Sequence, residues 1–543
     1  MAFPTWTALE INSENHQGLA PLGLEPVGLS LARQLLPGIT NATVHVRYFS
    51  FFSWVFWTFQ QQVLKYPRRY TANDQEHWRI KLENVLRTAT LSRYPHLKGV
   101  IGVTEAFRME GLRPDQRVPI DSDRPDTAFK PASYSASFHI LRCGDWDGEK
   151  VLLTEIGDRL GRAYDQELLA TRGGATALET ILNAGKNVPA AAIQTIAEAM
   201  ALRPVRAHSP EHETLVELLF RLQPHMPGDP SAGAEDRRSR CLGLLLDLVR
   251  QSDGRLKRSW DLHRVFGSDR FEDGRHVEIA PEFEAEFQIW RRYQERQYQK
   301  VALYGFWEEL NLFLNATSTH AASVGEIFRH FKLLVENSAV LSEWLGGGST
   351  QLTVSEAQAR LDRRLSKHSR QVLDDELCDL VRDSDNARER VGAGLLLLLL
   401  MVSEWGRRAT AVPLWLRNWP QLTNHERLAL SAFTQLTEAR LEESLEEYLY
   451  WLIERCILDQ ANLVAFEKLS RGDYRFFVLR GENGYRVVKK QDTEGYLEYD
   501  QPRMHSAFLL MKDLGIVSLN GALSLTKLGE RILDRVRARH RHT

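Results

Sequence analysis

The sequence contains little cysteine, and its four cysteines lie far apart. They are Cys143, Cys241, Cys378 and Cys456, and no two of them form a CxxC pair. This spacing argues against a zinc ribbon and against a disulfide framework, and it is typical of proteins from reducing compartments. We therefore expect a cytoplasmic protein.

The chain also has no excess of one charge and no long hydrophobic run. Sixty-nine basic residues oppose 71 acidic ones, a net charge of −2, so any contact with nucleic acid must be local. The longest apolar run, Val391 to Val402, is shorter than the roughly 20 residues that cross a bilayer, and we expect a buried helix there. The N-terminus does not resemble a secretory signal. These absences predict no membrane partner.

No catalytic signature is present, because GxSxG and HExxH motifs are both missing. The acidic segments Asp145 to Lys150 and Asp374 to Asp385 are better interpreted as solvated surface than as metal sites. Asp473, Glu482 and Lys489 are spaced loosely like a nuclease core, without its Glu-x-Lys. We predict no catalytic residue, no metal ligand and no cofactor, and a metal-dependent nuclease remains an alternative.

Most of the chain has the periodicity of helices. Apolar residues recur at threes and fours from Phe283 to Leu314, which predicts one long amphipathic helix or two. Eight aromatic residues between Tyr48 and Phe59 cover every side of a helix, which favours a buried element. Stacking on unpaired bases beside Arg47 is the alternative interpretation. Two β-rich runs from Tyr474 to Lys490 surround Gly-Glu-Asn-Gly and predict a hairpin.

One short phrase occurs twice. "LTEIGDRL" begins at Leu153 and "LTKLGERI" at Leu525, and they agree at seven of eight positions by identity or class. Each phrase follows a predicted helix that ends at a glycine, Gly144 or Gly515, and then a predicted hairpin. The turns are expected at Asp147-Gly148 and near Asn520-Gly521. The order helix, hairpin, helix is therefore predicted twice.

The threonine and glycine of each phrase have a physical explanation. Thr154 and Thr526 are good N-cap residues, since their hydroxyl oxygens can accept from backbone N–H groups of the first turn. Gly157 and Gly529 then fall in that turn, where a missing side chain lets the helix press against the hairpin. We expect each copy to be a compact unit with a small core.

This order and the LTxxGxxL ending resemble the recognition helix, wing and final helix of winged-helix domains. The resemblance implies either duplex DNA binding, with the recognition helix in the major groove, or protein docking. The second copy offers a set of basic side chains for phosphates or base edges. We predict this nucleic-acid-binding set to be Arg503, His505, Lys512, Lys527, Arg531, Arg535, Arg537, Arg539 and Arg541. The corresponding recognition helix of the first copy offers only His139 and Arg142.

The predicted fold class is mainly α and multi-domain, with two small winged-helix-like α+β units and a β-hairpin near the C-terminus. The predicted regions are an N-terminal helical region (1–110), a first winged-helix-like unit (127–170), a helical middle region (171–460), and a hairpin with the second unit (461–543). The opening "LLPGITNATVHVRYFSFFSWVFW", followed by a helical body and a terminal winged helix, resembles uncharacterised helical proteins of bacterial phage-defence operons.

These features favour a non-enzymatic scaffold or sensor subunit of a prokaryotic multi-protein system, with anti-phage defence as its setting. Its expected partners are DNA or RNA, at the second unit, and proteins, at the helical faces. A pure protein scaffold with a kleisin-like layout is the second hypothesis, and the nuclease is the third.

Overall fold

The structure is a computed structural model, and it is mainly helical, as the sequence predicts. It describes residues 20–65, 70–101, 113–120, 127–130, 133–223, 232–365, 370–408, 428–470, 478–481, 484–487, 497 and 503–541. These residues form two compact units, each built from three segments of the chain. The four-region division expected from the sequence stays a prediction.

The first unit contains residues 1–31, 263–275 and 288–500. The helices α1 (Glu25–Leu35), α10 (Leu262–Ser268) and α11 (Glu284–Ala316) lie mainly in this unit. The remaining helices of this unit are α12 (Val324–Glu336), α13 (Ala339–Leu345), α14 (Val354–Leu365), α15 (Arg370–Asp383), α16 (Ala387–Arg408), α17 (Leu430–Glu438), α18 (Leu445–Trp451) and α19 (Gln460–Ser470). A π-helical stretch, Leu452–Asp459, joins α18 to α19.

Two predicted helices are confirmed in this unit. The periodic segment from Phe283 to Leu314 lies, from Glu284 onward, in one helix, α11, of 33 residues, although this helix is buried on nearly every side and is not amphipathic as predicted. The leucine-rich run lies within α16, whose residues 391–400 are all buried, so it is a core helix. Among the described residues, no helix is both long and apolar enough to cross a lipid bilayer.

The predicted C-terminal hairpin is also present. Strands β6 (Val478–Gly481) and β7 (Gly484–Val487) pair antiparallel, with Val478 opposite Val487 and Gly481 opposite Gly484. The short strand β5 (Ala321–Ala322) pairs with β7 on its other side. A third strand that is distant in the sequence therefore extends the hairpin into a small sheet.

The second unit contains residues 32–262, 276–287 and 501–543. Its helices are α2 (Arg47–Lys65), α3 (Ala72–Arg93), α4 (Ser135–Ile140), α5 (Glu155–Ala170), α6 (Gly174–Asn183), α7 (Ala190–Met200), α8 (Pro210–Phe220), α9 (Ala232–Ser252), α20 (Met504–Asp513) and α21 (Lys527–His540). Its strands are β1 (Arg117–Pro119), β2 (Gly144–Asp147), β3 (Lys150–Leu153), β4 (Asn187–Pro189), β8 (Val517–Ser518) and β9 (Ser524–Leu525). Both copies of the repeated phrase thus lie in one unit.

The aromatic helix α2 forms much of the core of the second unit. Phe49, Phe52, Phe56 and Phe59 are all buried, as the apolar pattern predicts. Tyr48 and Phe52 pack against the ring of Tyr134, at centroid distances of 4.5 and 6.1 Å. The aromatic rings that could have stacked on unpaired bases therefore pack against neighbouring aromatic side chains instead.

Candidate nucleic-acid interface

The second repeat, Met504 to His540, has the predicted order of helix, hairpin and helix. Helix α20 ends at Asp513, and β8 and β9 pair antiparallel with Val517 opposite Leu525. The loop between the strands turns at Gly521, whose φ of 79° lies in the left-handed region that favours glycine. Helix α21 follows directly.

The first repeat, Ser135 to Ala170, has the same order. Helix α4 leads into the hairpin of β2 and β3, in which Gly144 lies opposite Leu153 and Asp147 opposite Lys150. The turn contains Gly148, with a φ of 61°, and α5 follows the second strand. The two repeats share their local architecture.

The junction between hairpin and final helix is alike in both repeats and agrees with the prediction. The hydroxyl oxygens of Thr154 and Thr526 accept from the N–H groups of Gly157 and Gly529, at 3.3 and 3.1 Å. A Cβ on Gly157 would overlap the carbonyl oxygen of Cys143, and one on Gly529 would overlap that of Ile516. The glycines are required because the first helical turn touches the backbone that enters the hairpin.

One detail of the first repeat differs from the prediction. Gly144 does not end a helix: α4 ends at Ile140, the left-handed residue after it is Arg142 with a φ of 60°, and Gly144 begins β2. In the second repeat Gly515, with a φ of 66°, has the role of Arg142. The expectation was wrong because a non-glycine residue rarely adopts this conformation, so the sequence pointed to the nearest glycine.

Some of the basic side chains of α21 bind this helix to α9. Arg537 donates to the carboxylate of Asp247 at 2.7 Å and lies 3.9 Å from Glu282. Arg539 pairs with Asp236. Burial lowers the pKa of Arg539, although the charge of Asp236 opposes this shift. Two of the predicted phosphate-binding arginines are therefore engaged within the fold.

Three other basic residues of α21, together with Arg541 just after its last residue, form an exposed stripe. We call Lys527, Arg531, Arg535 and Arg541 the basic stripe; all four are exposed, and no ion pair among the described residues includes them. The first three are spaced by four residues, so they project from one side of the helix. Asp534 is exposed on the same side and lowers the local charge. The stripe is a small positive surface on a helix whose opposite side is bound to α9.

The presumed recognition helix, α20, is almost entirely buried. Only His505 and Lys512 are exposed along it, and His505 lies 3.2 Å from the hydroxyl of Ser259. Arg503, just before the helix, is partly buried and donates to the carbonyl of Leu36 at 3.5 Å. Because a major-groove helix must present a whole face to base edges, α20 has too little free surface for that role.

The hairpin of the first repeat has a different surface. Asp145, Asp147 and Glu149 are exposed around its tip, beside Trp146, which is 47% exposed. The ring Nδ1 of His139 in α4 lies 3.2 Å from a carboxylate oxygen of Asp145. This repeat therefore presents acidic and aromatic groups where a DNA-binding wing presents cations.

Arg47 is not available for nucleic acid. Its guanidinium is buried and contacts Glu211 at 3.1 Å and Glu167 at 2.7 Å, and it donates to the carbonyl of Ala201 at 2.8 Å. Burial raises the pKa of Glu167, and the positive charge of Arg47 opposes this shift. Sequence reasoning missed this cluster because its members lie far apart in the chain.

Among the described residues, the acidic catalytic candidates are not grouped into a site. In α15, Asp375 is paired with Arg264 at 2.9 Å and accepts from the hydroxyl of Tyr298 at 3.2 Å. Within the described part of the chain, no three His, Cys, Asp or Glu side chains are grouped to hold a metal ion. Asp473, Glu482 and Lys489 lie outside the described residues.

Comparison with known proteins identifies no relative of this chain. The chain matches no protein-family model, and no curated protein or solved structure is similar to it. Function must therefore be inferred from the molecule itself.

Proposed function

We propose that this chain is a non-enzymatic scaffold or sensor subunit of a prokaryotic multi-protein system, and that it contacts nucleic acid through the basic stripe of α21. The observation that carries the proposal is that the basic side chains of this helix fall into two groups, one paired with acids of the fold and one exposed. Arg537 and Arg539 are held by acids of α9, whereas the cations of the stripe face outward. Exposed cations on a rigid, well-anchored helix suit a phosphate backbone.

The contact would be independent of sequence. Lys527 and Arg535 are separated by about 12 Å along the helix axis, a distance over which one DNA strand presents about three phosphates. Base readout would need a second free element, and α20 is buried. We therefore expect the stripe to hold the subunit on DNA or RNA while other subunits supply specificity.

The setting we propose is a cytoplasmic defence system. None of the four cysteines forms a disulfide bond and all four are buried, which suits a reducing compartment. The aromatic opening of the second unit, which resembles proteins of phage-defence operons, supports the same setting. We propose no cofactor and no catalytic step.

The test is binding of the full chain to labelled duplex DNA, single-stranded DNA and RNA across a salt series. Four phosphate contacts give a slope of log K against log salt of about −3.6 on duplex DNA. The double variant Arg531→Ala/Arg535→Ala is expected to make the slope shallower, by the share that about two phosphate contacts contribute. Shuffled DNA sequences are expected to bind equally well.

The first repeat provides a matched control. Arg159 and Arg162 are exposed on α5 and can both be replaced by alanine with the same change of charge. This control is expected to bind as the unmodified chain does. Absence of binding at low salt, or equal slopes for the two double variants, would remove nucleic acid from the proposal.

A pure protein scaffold of kleisin-like layout is the second candidate, and the first repeat favours it. Trp146 and Leu152, each 47% exposed, and Ile140, 43% exposed, are apolar side chains of α4 and the hairpin that follows it. Co-purification with an ATPase partner that is lost in Trp146→Ala, without any nucleic-acid binding, would support this candidate.

A further inference from the structure

His45 lies at a buried junction between α2 and the second repeat. It is 9% exposed and precedes the first turn of α2. Its Nδ1 lies 3.3 Å from a carboxylate oxygen of Asp513, the last residue of α20. Its Nε2 lies 2.7 Å from the carbonyl oxygen of Lys98. Both ring nitrogens therefore face acceptors.

This arrangement selects one protonation state of the ring. Neutral imidazole has a single N–H, so it can satisfy one of the two acceptors, whereas imidazolium donates to both. A carboxylate beside the ring further favours the charged form. The geometry alone thus indicates a protonated His45.

Asp513 also acts on the start of α2. The same carboxylate oxygen accepts from the backbone N–H of Val46 at 3.3 Å. Helix α2 has no acidic residue in its first turn, so Asp513 supplies the negative charge that a helix N-terminus favours. The backbone carbonyl of Asp513 in turn accepts from Val205 at 2.9 Å. One residue thus connects the end of α20 to two other parts of the second unit.

The groups that face His45 come from several elements. Asp513 and Lys512 belong to the end of α20, Lys98 contributes its carbonyl, and the hydroxyl of Tyr134 accepts from the His45 backbone N–H at 3.1 Å. Burial alone would lower the pKa of His45, but the hydrogen bond and charge of Asp513, together with the hydrogen bond to the Lys98 carbonyl, outweigh burial, so the pKa is raised. The charge of Lys512 opposes the rise only weakly.

We propose that His45 is a protonated clamp that fastens the end of α20 to the N-terminus of α2, and that loss of its proton as the pH rises loosens the second repeat. Because the folded state holds the proton more tightly, the clamp is complete below about pH 6.5, the ordinary midpoint of histidine, and weakens as the pH rises through the raised value. The proposal does not depend on nucleic-acid binding.

The first measurement needs no variant. Exchange of the histidine ring C2 hydrogen, followed by mass spectrometry of the full chain from pH 5 to 9, gives a titration midpoint for each histidine. His96 is exposed and is followed in the same experiment for comparison. The midpoint of His45 is expected above about 6.5, the ordinary midpoint of histidine, and a midpoint at or below that value would overturn the proposal.

The second measurement is amide hydrogen exchange of residues 504–514, corrected for the intrinsic effect of pH. Protection is expected to fall as the pH rises, by up to about tenfold for each unit by which the pKa exceeds its ordinary value. His45→Gln should abolish this dependence, and His96→Gln should retain it. Dependence that persists in His45→Gln would refute the clamp.

A third variant covers the case in which His45→Gln does not fold. Asp513→Asn keeps an oxygen acceptor but removes the charge, so it should lower the midpoint of His45 in the ring-exchange measurement. An unchanged midpoint would show that Asp513 does not hold the proton, which contradicts the proposal.

Discussion

The two repeats of the second unit share one junction and differ in what they expose. In both, a threonine caps the final helix and a glycine three residues later touches the backbone that enters the hairpin. The first repeat surrounds Trp146 with acidic residues, whereas the second has an uncharged hairpin loop and the basic stripe. The shared residues thus determine the fold, and the outward positions carry what distinguishes the two copies.

Replacing the glycines should have the largest effect on this comparison. We expect Gly157→Ala and Gly529→Ala each to lower the free energy of unfolding by about 2–3 kcal/mol, because a Cβ would overlap a backbone carbonyl. Gly157→Ala should cost more, since its Cβ would lie closer to the oxygen. Urea denaturation followed by circular dichroism measures both.

Gly325 is a control for these glycine variants. It also lies in the first turn of a helix with a serine cap, but a Cβ there would meet nothing within 4 Å. Gly325→Ala should therefore stabilise the chain by about 0.5–1 kcal/mol. A similar loss in all three variants would mean that the junction has no special packing.

The next largest effect is expected from the contacts made at corresponding positions of the two final helices, where the loss of stability should differ between the repeats. Asp247 is buried and accepts from Arg537, so we expect Asp247→Asn to cost about 2 kcal/mol in urea denaturation through loss of charged hydrogen bonds. The position of Arg537 corresponds to Asp165 in the first repeat, which accepts from the indole N–H of Trp54 at 2.9 Å. Asp165→Asn can keep this bond and should cost less than about 1 kcal/mol. Equal losses would contradict the assigned contacts.

The caps should give a smaller effect that is alike in both repeats. We expect Thr154→Ala and Thr526→Ala each to lower the free energy of unfolding by about 1 kcal/mol, because one N–H of the first turn loses its acceptor. Serine at either position keeps the oxygen and should restore most of the loss in the same denaturation measurement. A clear difference between the two repeats would show that the junctions are not equivalent.

The smallest effect is expected on the basic stripe. Arg531→Ala/Arg535→Ala should change the free energy of unfolding by no more than about 0.5 kcal/mol, since both side chains are exposed on the helix surface. Thermal unfolding of this variant beside the binding measurement separates a functional surface from a structural one. A loss of stability as large as that of Asp247→Asn would show that the stripe stabilises the fold instead of serving as a binding surface.

Local features of the second unit were predictable because their causes lie close together in the sequence. The cap, the close-packed glycine and the hairpin turn all fall within a few residues of Thr154 or Thr526. The burial of α2 follows equally from its uninterrupted aromatic pattern. Periodicity and capping chemistry are enough for features of this kind.

Contacts between distant segments were not predictable. The sequence presents Arg537 and Arg539 as part of a basic run, and only the fold shows that acids of α9 hold them. It presents α20 as a free recognition helix, although most of that helix is buried. His45 and Asp513 are 468 residues apart, and nothing local to either residue indicates the other.

The late completion of the second unit has a consequence for biosynthesis. The N–H of Leu523 donates to the carbonyl of Leu256 at 2.7 Å, and the ring of His212 lies 2.9 Å from the carbonyl of Leu514. A unit that begins at residue 32 thus closes only after the segment around residues 514–523 has emerged from the ribosome. Until then its apolar surfaces lack their final partners, so the nascent protein should depend on chaperones for longer than its helical content would suggest.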